Sequence, residues 1–238
     1  MRSIFLKIKS KVWVLRSIIP TIYFNFHYLP FKQAIKLPIF LYKPHLKLMK
    51  GTITILGGGV KTGMIEFGKN QVALYPNSGF IYSNNGGDLI FHGCCSIGNN
   101  SALAIGKNGH VEFGKNFKAS TTFKLASQYH IIFKDDVLFG WDCLVMDSDF
   151  HKLTKLSGGY SKGYGAILVG SNTWFGNGTL VLKNSVIPDF CVIGAKSIVS
   201  GKLEVPSYSL VSGNPLKLIK QGVWRDPDND TIIYESLK

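Results

Sequence analysis

An apolar side chain stands at every sixth position from Val169 to Val211: Val169, Phe175, Val181, Ile187, Ile193, Val199, Val205 and Val211. A helix repeats at 3.6 residues and a strand at 2, so neither asks for this beat. Self-similarity at a fixed period marks a solenoid, whose repeats bury their apolar faces only by stacking on one another. Small or hydroxylated residues follow most anchors by four places: Thr173, Thr179, Ser185, Cys191, Ser197 and Ser209. A large residue into the core and a small one at a tight corner suit a coil of short flat faces. Three six-residue faces per turn predict an all-β chain wound as a triangular parallel β-helix.

The beat loosens toward the N-terminus. Met64-Ile-Glu-Phe-Gly-Lys-Asn70 returns almost verbatim as His110-Val-Glu-Phe-Gly-Lys-Asn116, each a strand running into a turn that tolerates positive φ. The anchors Phe67, Phe91, Phe113 and Phe133 are spaced more widely than an 18-residue coil, which predicts insertions in the early coils. The largest interruption, residues 147–166, is rich in glycine and carries His151, Tyr160 and Tyr164. Function concentrates in such excursions because the coils themselves are committed to packing. The expected organisation is an N-terminal helical arm broken by prolines over 1–50, a β-helix over 51–215 with its loop at 147–166, and a short C-terminal helix or tail over 216–238.

Lys+Arg number 27 against 14 Asp+Glu, a net charge of +13, so an acidic partner is expected. No helix-turn-helix, zinc-finger or RNP-like pattern accompanies the charge, which argues against nucleic acid. The cysteines, Cys94, Cys95, Cys143 and Cys191, show no CxxC or metal-ligand spacing; free thiols fit a reducing cytoplasm. Basic residues interrupt every apolar run of the first twenty positions, so neither an export signal nor a spanning helix is expected there. Ile4, Phe5, Ile8, Val12, Leu15, Ile19 and Ile22 instead recur at helical spacing with cations between them. Such a stripe serves either to lie on the inner face of an anionic membrane through residues 1–20 or to pack on the solenoid.

The six-beat, the excursion carrying His151, the string Asn172-Thr-Trp-Phe-Gly-Asn-Gly178 with Ile193-Gly-Ala-Lys-Ser197, and the closing Gly213-Asn-Pro-Leu-Lys217 together resemble the hexapeptide-repeat acyltransferases. The likeness covers roughly residues 60–220 and is nearest to the maltose/galactoside and capsular polysaccharide O-acetyltransferases. It implies a left-handed β-helix, a homotrimer, acetyl-CoA as acyl donor, a carbohydrate acceptor and no metal.

The same resemblance gives His151 the role of general base. Acyl transfer from a thioester needs the acceptor hydroxyl deprotonated as it attacks, and an imidazole suits that near neutral pH. A base histidine is usually oriented by a second group, and Asp149, then Asp147, are the nearby carboxylates. The family pattern puts acetyl-CoA against Asn177, Gly178, Ala195 and Ser200, with Lys217 and Lys202 on its phosphates; Gly201 stands where the family commonly has a lysine. Ser120 falls near the family's acceptor-binding asparagine, and Tyr160, Tyr164 and Trp141 are candidates to stack on a sugar. His27, His45, His92, His110 and His130 are read as arm or turn residues without a catalytic role. A trimeric γ-carbonic-anhydrase-like metal enzyme would use three histidines across a subunit interface. His92, His110 and His130 are about a coil apart, but the expected His-x4-His pair is missing. Acylation of an amino sugar nucleotide, which the same base would serve, is the nearer alternative.

Overall fold

The computed structural model describes residues 16–57 and 59–232. Three parallel sheets form the faces of a prism. Face A runs through Ile39–Leu41, Ile65–Lys69, Cys95–Gly98, Phe117–Ala119, Leu138–Phe139, Trp174–Phe175, Val192–Ile193 and Ser209–Ser212. Face B includes Pro44–Met49, Lys124–Ser127, Leu144–Met146 and Ile198–Val199; face C includes Thr52–Ile55, His110–Phe113, His130–Phe133, Ile167–Val169 and Val186–Ile187. In the late coils the repeat is 18 residues, as in the pairing of Trp174 with Val192 and of Val192 with Leu210.

The six-residue beat is the face length. Val169, Phe175, Val181, Ile187, Ile193 and Val199 step round faces C, A, B, C, A and B, and all are buried. The small residues sit at the corners. Thr173, Thr179 and Ser185 are buried and donate their hydroxyls to the carbonyls of Gly170, Gly176 and Leu182 at 2.6–2.8 Å. The preceding positions, Asn172, Gly178 and Asn184, have φ of 55°, 67° and 66°, the left-handed region that turns the chain onto the next face.

The early register differs from the sequence reading in one respect. Phe91, Phe113 and Phe133 share face C, whereas Phe67 lies on face A opposite Ile97. The near-verbatim repeats at 64–70 and 110–116 therefore occupy different faces. Each face offers a strand the same inward core and outward solvent, so a local motif does not encode which face it joins.

The domain boundaries also move. Strands begin at Ile39, so residues 39–50 belong to the first coil rather than to an arm. Helix α1, helical over the described residues 16–28, lies across the solenoid's open edge. Leu41 N and Lys43 N donate to the hydroxyls of Thr21 and Ser17, while Asn25 accepts from Ile39 N and donates to Ile39 O. Polar side chains thus satisfy the backbone groups that an edge strand leaves open. Phe24 is fully buried and meets the Tyr82 ring at 5.1 Å. Of the apolar stripe expected from the sequence, Ile19 and Ile22 are exposed, and Ile4, Phe5, Ile8, Val12 and Leu15 lie outside the described residues.

At the other end the expected short C-terminal helix is a strand. Lys217–Gln221 pairs antiparallel with Ser209–Ser212 and closes the last edge of face A. The open edge offers more backbone hydrogen bonds than an isolated short helix could make for itself. All four cysteines are free, and Cys95, Cys143 and Cys191 are buried. Burial pushes the Cys143 thiol up to about 11.

Candidate active site

The excursion leaves face B after Leu144–Met146 and rejoins face C at Ile167–Val169. Its neck is built on Asp147, which is fully buried and accepts from Ser127 Oγ at 2.8 Å, Gln128 N at 2.7 Å and Tyr129 N at 2.9 Å. The Asp147 carbonyl accepts from Gly165 N, and Asp149 N donates to Gly163 O, so the two arms of the loop are tied together. Beyond this neck Ser148 Oγ takes the Phe150 amide, Phe150 turns with φ of 60°, and His151 emerges exposed.

His151 lines a cleft of about 800 Å³ with Lys152, Lys162, Tyr129 and Tyr164. The two tyrosine rings lie 4.9 Å apart, and Lys162 Nζ stands 4.7 Å from the Tyr164 ring and 5.1 Å from that of Tyr129. Asn108, Gln128 and Ser148 add neutral polar groups, and no acidic side chain is among the described residues of the lining. The cleft therefore combines a proton acceptor, stacking surfaces and two cations, which suits a polyhydroxylated ligand with anionic character.

The other expected site residues fall in three places. Asp149 forms an ion pair with Lys183 at the next coil's corner, so its carboxylate is directed there. Tyr160 is at the outer end of the excursion, where Lys152 Nζ lies 4.7 Å over its ring. Asn177, Gly178, Ala195 and Ser120 share the corner between faces A and B, a strand's length from the corner that carries His151. There Asn177 Oδ1 accepts from Trp141 N, Gly178 N donates to Trp141 O, and Ser120 N donates to Phe139 O. Gly178 turns this corner with φ of 67°, a conformation that a side chain would strain. Ser200, Lys202 and Lys217 line a separate groove of about 450 Å³ beside the last coil. Lys202 Nζ is 3.1 Å from Glu204 there.

Sequence reasoning missed Tyr129, Gln128, Asn108 and Lys162 as cleft residues. Gln128 and Tyr129 occupy the same corner one coil before the excursion, so a coil-length register would have aligned them with Asp147. It also treated His92, His110 and His130 as turn residues without a role. His110 and His130 pair directly across adjacent strands of face C, and His110 and His92 both donate to Glu112 at 3.0 Å. Those two hydrogen bonds, from His110 and then His92, hold the Glu112 carboxyl below its usual range; burial lowers His130.

Among known proteins, a Staphylococcus aureus (strain Mu50) protein provisionally named as an acetyltransferase is 40% identical over 80 residues. That stretch is 34% of this chain and 38% of the other, so the chain spans well under half of that relative's length. The galactoside O-acetyltransferase of Escherichia coli K12 is 29% identical over 122 residues, 50% of this chain and 57% of that protein. Among solved structures, the polySia-specific acetyltransferase NeuO superposes with a TM-score of 0.61 at 17% identity, covering 81% of this chain and 76% of that one. Over the two sequence-matched stretches the chain is similar to proteins named as acetyltransferases. Its solenoid is a left-handed β-helix, the fold it shares with the NeuO structure. No family model matches the sequence.

Proposed function

We propose that the protein transfers an acetyl group from acetyl-CoA to a hydroxyl of a cell-surface polysaccharide or its lipid-linked precursor. The observation that carries this reading is the cleft in which an exposed His151 faces Tyr129, Tyr164 and Lys162 at the neck of the excursion. In the proposed step the acceptor hydroxyl loses its proton to the imidazole as its oxygen attacks the thioester carbonyl. The thioester C–S bond then breaks, and the coenzyme thiolate takes up the proton. Asp149 serves as a positioning residue, pinning the loop through Lys183. Tyr164 stacks on the acceptor, and Tyr160 meets its more distal part.

The donor is proposed to lie along the wall by Asn177, Gly178 and Ala195 and to end at Ser200 and Lys217, between neighbouring copies of a homotrimer. With Glu204 beside Lys202, Lys217 is the principal phosphate contact. Ser120 sits on the donor corner and is assigned no contact with the acceptor. Release of coenzyme A thiol, measured against a panel of neutral and acidic glycans with amino sugars included, tests the reading. Turnover on hydroxyl acceptors that disappears in His151→Ala supports it. Turnover on amino sugars alone would replace it with N-acylation.

Peripheral contact with an anionic membrane at its cytoplasmic face is part of the same proposal. Helix α1 turns Ser17, Thr21, Phe24 and Asn25 to the solenoid and leaves Ile18, Ile19, Ile22, Tyr23 and Phe26 exposed, beside Arg16, Lys32 and Lys36. Apolar side chains flanked by cations fit a headgroup boundary. No described helix is long and apolar enough to cross a membrane. Flotation with phosphatidylglycerol vesicles tests the contact: co-flotation lost in Ile19→Glu/Ile22→Glu supports it, and equal flotation of that variant removes it.

A further inference from the structure

Face C carries a second constellation, set in rigid strands and separate from the acyl chemistry. His110 and His130 are register partners in adjacent coils, with ring centroids 4.4 Å apart. Glu112 lies two residues along the strand from His110 and therefore on the same side of the sheet. One ligand atom from each of His110, Glu112 and His130 falls within 4.8 Å of the others. The outer partners are also present. His92 Nε2 donates to Glu112 Oε2 at 3.0 Å, and Asp88 Oδ2 lies 4.0 Å from His110 Nδ1. One group has no partner: His130 Nε2 is buried and makes no hydrogen bond among the described residues.

We propose that His110, Glu112 and His130 bind one zinc ion per chain, with Asp88 and His92 orienting the ligands. Two imidazoles and one carboxylate match the nitrogen–oxygen donor set of zinc, whereas magnesium and calcium take oxygen ligands alone. The Asp88 carboxylate, 4.0 Å from His110 Nδ1, is placed to accept the Nδ1 proton's hydrogen bond once the ion holds Nε2. Without the ion, His110 Nε2 donates to Glu112 Oε1 at 3.0 Å. Binding replaces that hydrogen bond: the imidazole proton moves from Nε2 to Nδ1, and Nε2 gives its lone pair to the ion. The ligands come from two consecutive coils, so the ion staples them together. Tyr129 lies between this site and the His151 cleft, its ring 6.2 Å from that of His130. The sequence reading implied no metal; the lateral register of face C is what brings these side chains together.

The test uses the untagged full chain, stripped with a chelator and titrated with zinc against a chromophoric competitor, with cobalt as a spectroscopic probe. One ion per chain is expected, with binding lost in both Glu112→Gln and His130→Ala and unchanged in His151→Ala. Asp88→Asn should weaken binding about 10-fold. The isosteric Glu112→Gln keeps the test valid if His130→Ala fails to fold. Wild-type protein that takes up no zinc, or a Glu112→Gln variant that binds as tightly as wild type, overturns the assignment. Loss of zinc in His151→Ala instead would place the ion at the cleft and overturn it equally. None of these readouts depends on acetyl transfer, so failure of the metal site and failure of the acyltransferase reading are distinguishable.

Discussion

Between Ile167 and Val199 the anchors are buried, the corner hydroxyls bond to backbone carbonyls, and every strand is laddered to the coil before it. Between Asp147 and Ala166 the chain does the reverse. Residues 149–160 are all exposed, two isolated bridges and a few backbone hydrogen bonds hold the loop, and Leu153 and Leu156 project outward. The wall gains its order from repetition, since every coil covers the next. The excursion has no covering coil, and its order rests on the buried Asp147 carboxylate at the neck, the bridges across the loop and the Asp149–Lys183 pair. Stability and chemistry are thereby assigned to different residues, which makes the contrast testable.

The sharpest break is His151→Ala. It should reduce acetyl transfer by about 10²–10⁴-fold while leaving the melting temperature unchanged; full turnover would remove His151 from the chemistry. The opposite pattern is expected in the wall. Phe175 is fully buried and stacks on Phe139 at 4.1 Å, so Phe175→Ala should cost about 3–5 kcal/mol in denaturant unfolding. A loss under about 1 kcal/mol would show that the coils are not the source of stability.

Asp147 joins the two regions, and its replacement should affect both. Asp147→Ala strands the amides of Gln128 and Tyr129 and should cost about 3 kcal/mol, with a fall in turnover from a loosened neck. Full activity with lowered stability would mean that the loop holds His151 without its anchor. The smallest effect is expected at the far groove, where Lys217→Ala should raise the KM for acetyl-CoA by roughly 5–10-fold, about 1 kcal/mol, with kcat unchanged. An unchanged KM would detach the groove from the donor.

How much of this was legible beforehand differs between the same two regions. The wall could be read from Val169 to Val199 because one face is six residues and one coil eighteen, so local spacing and tertiary register coincide. Before Phe133 they diverge. An insertion such as residues 70–79 moves a strand to another face without changing its own pattern, and Phe67 was grouped with face C for that reason. His151 was visible as a histidine in a glycine-rich interruption. Its neighbours Tyr129 and Lys162 were not, because one comes from the preceding coil and the other from the loop's return. Asp149 looked adjacent to His151 in sequence, yet the corner of the next coil brings Lys183 to it.

The sequence by itself determined that the chain is a solenoid, which residues fill its core, and where its regular winding is broken. Those are consequences of periodicity, which any window of a few repeats contains. Only the tertiary structure decided what each end of the solenoid is closed by. Thr21 and Asn25 cap the first edge strand, and Lys217–Gln221 pairs with the last. It also decided that His110 and His130 meet on face C and that Tyr129 joins Lys162 over the cleft. The last two depend on lateral register between residues twenty or more positions apart, and side-chain spacing along one strand carries no information about its neighbour's offset.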